Sequence, residues 1–311
     1  MADSIEQVAP AWAVFAPVVL AAFALVGASL NGALIAQANG RPFASGLSAP
    51  IDEIVRLMRQ RRRTTVSADS LLWRIAGTGL LLVALLMIIP IPIGGWTLAD
   101  LSIGVVWFNA MDGLVWGVIW LAGWGANSAY SLIGGYRFIA QALSYELPVM
   151  FALIAPAVAA RSLRMGDVVA AQQDLWFVVW MPVAFLVFCA SVVAFSSWGP
   201  FGSAAGRDIA GGVFAELSGV DRLIVRAGRY AVLAAGAAFA VAVFLGGGAG
   251  PLFPDWVWTL VKTVVLLSLF IIARHRLPAI RPERFAEVAW IIVIPLILLQ
   301  VLVVAIVMVN R

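Results

Sequence analysis

A single cysteine, a single histidine and a single lysine occur among 311 residues, and only 12% of the chain is charged. Cys189 alone can form no internal disulfide and no thiolate cluster for zinc or iron–sulfur. Lying in an apolar run, it reads as a small buried hydrophobe. His275, flanked by arginines at the end of another apolar run, can make neither a haem pair nor a metal site unaided. A solvated polar role is its simplest reading. The glycine-rich "GGGAGP" at 246–251 opens no soluble phosphate-binding helix, which argues against a nucleotide site. The chain is therefore expected to bind no metal, flavin, haem or other cofactor of its own. Its start, "MADSIEQVAP", is acidic where a cleaved signal peptide would be basic.

What the chain has in excess is hydrocarbon. Hydrophobic residues make up 63% of it, whereas a soluble domain is roughly half apolar and a quarter charged. The excess falls in runs of about 20 residues, the length that crosses roughly 30 Å of bilayer core. The expected fold is an all-α polytopic membrane protein, a single integral membrane domain over 1–311. Eight transmembrane helices are predicted, over 11–36, 71–91, 103–124, 138–160, 175–197, 229–247, 256–273 and 286–309. Between the first two, "GLSAPIDEIVRLMRQRRR" is too polar to span. Its apolar Ile51, Ile54, Val55 and Met58 recur at helical spacing, which predicts a cytoplasmic amphipathic surface helix near 48–62.

Sixteen of the twenty basic residues fall on one side of this arrangement, leaving Arg161, Arg164 and Arg311 opposite and Lys262 inside a helix. Basic loops stay cytoplasmic, so both termini are expected outside. The pI near 9.8 thus reports topology, with membrane lipid or a cytoplasmic protein as the partner and no nucleic acid.

Five ionisable residues lie in or at the edges of spans where topology does not require them: Asp112, Arg137, Glu146, Lys262 and Glu287. A charge at the bilayer centre costs at least about 2.5 kcal/mol, and such residues usually face the protein interior and mark ion or substrate paths. The competing explanation is a structural ion pair between helices. In general an isolated buried carboxylate titrates nearer neutrality, and a neighbouring base pulls it down again. That is the chemistry of a switchable proton relay. Two cytoplasmic segments add to it. Residues 198–229 mix Asp208, Glu216 and Asp221 with arginines, glycines and apolar residues, and "RHRLPAIRPERF" sets four arginines around two prolines. Both read as ordered segments that line a cavity or dock a partner.

The stretch "GWGANSAYSLIGGYRFIAQALSYELP" (123–148) resembles the most recognisable part of the H subunit of the proton-pumping NADH-quinone oxidoreductases, respiratory complex I. The matching residues are Gly123-Trp124, Asn127, Tyr130, Gly134, Arg137, Ala140-Gln141 and Ser144-Tyr145-Glu146. Further matches follow in chain order: "GLSAPIDEIVRLM" with Glu53 and Arg56, "DLSIG", "SLRMGDVVAAQQ", "AELSG" and "LVKTVVLLSLFIIARHRLPAIRPERF". The first helix ends without that family's Glu-Arg-Lys, and Gly202 stands where its Pro-Phe-Asp has the aspartate. These departures fall at the quinone access and the acidic funnel.

The resemblance implies a subunit without a redox centre, in a bacterial plasma membrane, that anchors the hydrophilic arm beside other membrane subunits. It implies quinone as substrate of the whole complex. On the proton path it places Glu146, Glu216 and Asp208, to which the reading of charges inside the spans adds Asp112 and Lys262. At the quinone cavity or arm interface it places Glu53, Arg56, Arg137, Arg274 and Arg281. A ferredoxin-fed relative, the membrane subunit of an energy-converting hydrogenase and, less favoured, a stand-alone ion transporter are the alternatives. The transporter predicts inverted repeats, and no convincing repeat is seen.

Overall fold

A computed structural model describes residues 5–310 of the chain. Strand β1 (Glu6–Gln7) is followed by α1 (Phe15–Ala38), the short α2 (Ala49–Arg59) and α3 (Ser70–Met87). Strand β2 (Trp96–Thr97) pairs in parallel with β1, Glu6 against Trp96. Next come α4 (Gly104–Gly125), α5 (Ala129–Ala160), α6 (Met165–Ala170), α7 (Phe177–Trp180) and α8 (Pro182–Phe195). The chain closes with α9 (Gly219–Phe244), α10 (Asp255–Arg276), α11 (Pro282–Val288) and α12 (Ile294–Val309), the last two joined by a π turn over Ala289–Val293.

Among the described residues, seven helices are long and apolar enough to cross a membrane. The stretch expected to be one span over 175–197 is instead α7 and α8, broken at Met181–Pro182. Proline has no N–H to give, so the ladder fails there. Gln300 of α12 repairs it: its side chain accepts from Ala184 N (2.8 Å) and donates to Trp180 O (3.1 Å), the two groups that an unbroken helix would have joined to each other. In hydrocarbon such groups must be satisfied within the protein.

Helix α9 is the hub. Every residue from Ala231 to Phe244 is buried, and α1, α2, α3, α8 and α10 all pack on it. Its sequence "AVLAAGAAFAVAVF" is mostly small residues, which let helix backbones approach closely where lipid offers no hydrophobic drive to associate. Helix α4 packs on α3 and α5, and α12 on α5 and α8.

Two expected starts are corrected. Helix α5 begins at Ala129 rather than 138, and α9 at Gly219 rather than 229. Both first turns are polar and glycine-bearing, so hydropathy alone stops short of them. They are helical because other segments cover them. At Gly134 a Cβ would lie 2.2 Å from the backbone nitrogen of Val213, and at Gly123 2.5 Å from Ser131 O. Only glycine allows these contacts, which clamp the 196–218 connection onto α5 and α4 onto α5. As a result Arg137, Arg222, Arg226 and Arg229 are helical residues, where the sequence suggested loop or loop-edge positions. The connection itself contains four 3-10 turns between Gly199 and Phe214.

Candidate functional site

The ends of α1, α4, α8 and α10 and the starts of α3, α5, α9 and α11 form the arginine-rich end of the bundle. Several of its acids are held by specific partners. Glu53 on α2 accepts two bonds from Arg56 (2.7 Å each) and one from Arg226 on α9. The hydrogen bond from Arg56 holds the Glu53 carboxyl below the usual carboxylate range, with the Arg226 and Arg222 charges adding to the effect. Asp221 accepts from Arg62 (2.7 Å) and from the Trp73 indole (2.8 Å). Asp208 accepts from Arg137 (2.5 Å), and that bond lowers its pKa. Glu216 takes a hydrogen bond from Ser128 at the start of α5 (2.7 Å).

Two more arginines stack rather than pair. The Arg274 and Arg229 guanidiniums lie 4.5 Å and 5.5 Å from the ring centre of buried Trp198, a cation–π arrangement. Arg229 also lies 5.1 Å from Phe214 and donates to the carbonyls of Ser196 and Ser197. Beside them a hydrogen-bonded chain crosses three helices. Tyr230 on α9 accepts from Asn31 on α1 (3.1 Å), and Asn31 meets His275 on α10 (3.0 Å). A cavity of about 150 Å³ opens here, lined by Phe214, Leu217, Arg222, Arg226 and Arg229 among others. Arg281 is exposed and makes no ion pair among the described residues.

Deeper in the bundle the acids are treated differently. Asp112 on α4 is 1% exposed and Tyr145 on α5 is 1% exposed. The Tyr145 hydroxyl and the Asp112 carboxyl are both buried beside each other without a hydrogen-bond partner among the described residues, and the half-buried Glu146 carboxylate is close enough for its charge to act on Asp112. Among the described residues, both oxygens of Asp112 and one of Glu146 find no hydrogen-bond partner, and neither residue is in an ion pair. Asn109, one turn before Asp112, presents another buried, unpartnered oxygen. Pro148, two residues past Glu146, cannot bond the Ser144 carbonyl, so the helix is opened beside the acid. Arg137 is not a partner for Glu146: nine residues apart on α5, the two lie about 13 Å apart along the axis and on opposite faces, and Arg137 pairs with Asp208 instead.

Lys262 joins neither group. Its ammonium donates to the carbonyls of Leu245 (2.7 Å), Gly247 (3.0 Å) and Ala249 (2.7 Å), and it lies 4.0 Å from the ring centre of Trp176. It therefore caps the C-terminal end of α9 and the glycine-rich turn beyond it, at the opposite end of the bundle. Glu287 pairs locally with Arg284.

Neither Tyr145 nor Arg226 stood out in the sequence as a site residue. For Tyr145 the signal was adjacency to Glu146 within the most recognisable stretch. For Arg226 there was none, since its partner Glu53 is 173 positions away.

The chain matches the family described as NADH dehydrogenase over residues 9–305. It is 34% identical over 270 residues to H subunit 2 of the NADH-quinone oxidoreductase of Geobacter sulfurreducens, covering 83% of this chain and 82% of that protein. To H subunit 1 of the same enzyme in Geobacter metallireducens it is 33% identical, with the same coverage. To the H subunit of Carboxydothermus hydrogenoformans it is 30% identical, over 82% of this chain and 75% of that one.

Proposed function

Because the chain belongs to the H-subunit family of NADH-quinone oxidoreductase, we propose that it anchors a proton-translocating complex of that kind, forming part of the quinone cavity and the start of the proton path. The complex resides in a bacterial plasma membrane. Its arginine-rich end faces the cytoplasm, where hydrophilic-arm subunits dock, and both termini face outside. The broken pair α7–α8 completes an eighth crossing, and α2 lies on the cytoplasmic surface with Ile51, Val55 and Met58 turned outward.

The observation that carries this reading is the Asp112–Tyr145–Glu146 cluster, two carboxylates inside a membrane protein, one buried and one half-buried, without a cation. Two acids sharing one unneutralised site cannot both hold charge cheaply, so a proton is retained between them and passes when nearby charge changes. The paired acids nearer the cytoplasm, Glu216 and Asp208, stand between that cluster and the solvent. Glu53, Arg56, Arg137, Arg274 and Arg281 face the cavity or the arm. Lys262 serves on the outer side, as the cap of α9. The electrons and the redox centres that carry them belong to the other subunits of the complex.

The test is Glu146→Gln, which keeps shape and hydrogen bonding but removes the titratable proton. Assembly should stay normal while donor-to-quinone activity and proton uptake by membrane vesicles fall together. Normal assembly with fully coupled activity removes Glu146 from the path. Turnover that proceeds without quinone in the purified assembly would favour the hydrogenase-type reading instead.

A further inference from the structure

The end of the bundle opposite the arginines carries a feature that the proton path does not use. A cavity of about 580 Å³ opens there between the start of α1, the β1–β2 pair and the start of α10, within the roughly 300–1,000 Å³ typical of small-molecule sites. Its walls include Trp12, Phe15, Val19, Trp96, Trp256 and Leu260. Strand pairing holds the wall nearest the N-terminus in place, through Glu6 N to Gly95 O (2.8 Å) and Val8 N to Thr97 O (3.0 Å). The cavity merges with a polar recess through shared Glu6, Trp96 and Trp256, and the recess adds Asp255. Among the described residues, no lysine or arginine lines either space. Neither Glu6 nor Asp255 is in an ion pair among the described residues. Lys262, two turns along from Asp255, is directed at the carbonyls it caps.

We propose that this composite cavity is a lipid site that holds an aminophospholipid, with an acyl chain in the apolar part and the headgroup ammonium between Glu6 and Asp255. Three features select this occupant. The flanking faces of α1 and α10 present exposed Val18, Val261 and Val265, so in a membrane protein the cavity opens sideways into hydrocarbon. Trp12, Trp96 and Trp256, each about half exposed, stand where aromatic side chains mark the membrane–water interface. Among the described residues that line the mouth, the charged ones are the acids Glu6 and Asp255, which matches an ammonium and opposes an anionic headgroup. Such a site needs membrane insertion but not quinone chemistry, and its failure would leave the quinone reading untouched.

The experiment is native mass spectrometry of the full chain, or of its purified assembly, with phosphatidylethanolamine and phosphatidylglycerol of matched acyl chains. Ethanolamine lipid should be retained about tenfold better, the discrimination of one modest charge-assisted hydrogen bond. Glu6→Gln with Asp255→Asn should bring the ratio near one without altering the melting midpoint. Val19→Trp, which fills the apolar part, should weaken both lipids. Equal retention by the unaltered protein, or an unchanged ratio in the conservative double variant, would overturn the proposal.

Discussion

The two acid-bearing regions of this protein obey opposite rules. At the arginine-rich end Glu53, Asp208 and Asp221 each sit against a guanidinium. Between α4 and α5, Asp112 and Glu146 share a site with a tyrosine and no cation. Exposed pairs of the first kind contribute about 0–1 kcal/mol each, and they fasten segments to one another: α2 to α9, the 196–218 connection to α5. Acids of the second kind stabilise nothing, and a buried charge without a partner is costly. On the proposed proton path, a fold that has arginine to spare and still leaves its innermost acids unneutralised keeps them titratable. On that reading the arginine-paired acids hold the frame, and Asp112 and Glu146 are free to change state.

The largest effect should come from removing that freedom. Asp112→Asn is close in shape, so assembly should persist, while coupled turnover drops about a hundredfold, at the low end of what positioned proton transfer contributes. Vesicle assays normalised to the amount of assembled complex measure it. If Asp112→Asn instead raises the melting temperature and leaves turnover intact, the acid is merely a frustrated core residue and the contrast collapses.

Lys262 tests the contrast from the cationic side. It is half-buried against carbonyls rather than paired with an acid, so its work is structural by the same logic. Lys262→Met should strip a charged donor from three carbonyls and lower stability by about 3 kcal/mol or more, read as a fall in the detergent melting midpoint. Turnover per assembled complex should be nearly unchanged. A loss of coupled turnover at normal stability would return Lys262 to the proton path.

Much of this was legible in the chain itself. Apolar runs marked the helices, and the arginine distribution gathered one end of the bundle, because both are properties of local sequence. Asp112 and Glu146 stood out for the same reason: a carboxylate in an apolar run is visible at once. What could not be read depends on partners far along the chain. The first turns of α5 are helical because Val213 and Ala204 press on Gly134, and no window around 129–137 contains that fact. The break at Pro182 was visible as a proline, but its repair by Gln300, 116 positions away from Ala184, was not. Likewise the pairing of Arg137 with Asp208, 71 positions on, could not be read from either segment alone.

A smaller effect should separate the frame from the path. Glu53→Gln removes the acid that gathers Arg56 and Arg226, leaving these two and Arg222 to repel one another. The expected loss is about 1 kcal/mol at low ionic strength, shrinking as added salt screens the arginines. Melting in low and high salt reads it, and turnover should follow stability rather than fall ahead of it. A salt-independent loss of turnover with unchanged melting would give Glu53 a direct part in quinone handling beyond its place in the frame.

The smallest effect concerns Asp208, exposed and tied to Arg137. Because that bond lowers the pKa of Asp208 in the folded protein, the native state binds fewer protons there than the unfolded chain does. The tie is therefore fully present above the ordinary aspartate value and is lost as pH falls through the depressed one. A spin label at position 210, exposed and two residues away, should stay restrained down to the ordinary aspartate value near 4 and gain mobility only as pH falls further, through the depressed value of Asp208. In Asp208→Asn the label should be mobile throughout. Glu216 and Asp221 also hold this region, through Ser128 and through Arg62 and Trp73, so the informative quantity is the difference between the two proteins. If the parent shows the same flat profile as the variant, the Arg137–Asp208 pair does not restrain the connection, and the clamp on α5 rests on Gly134 and Glu216 alone.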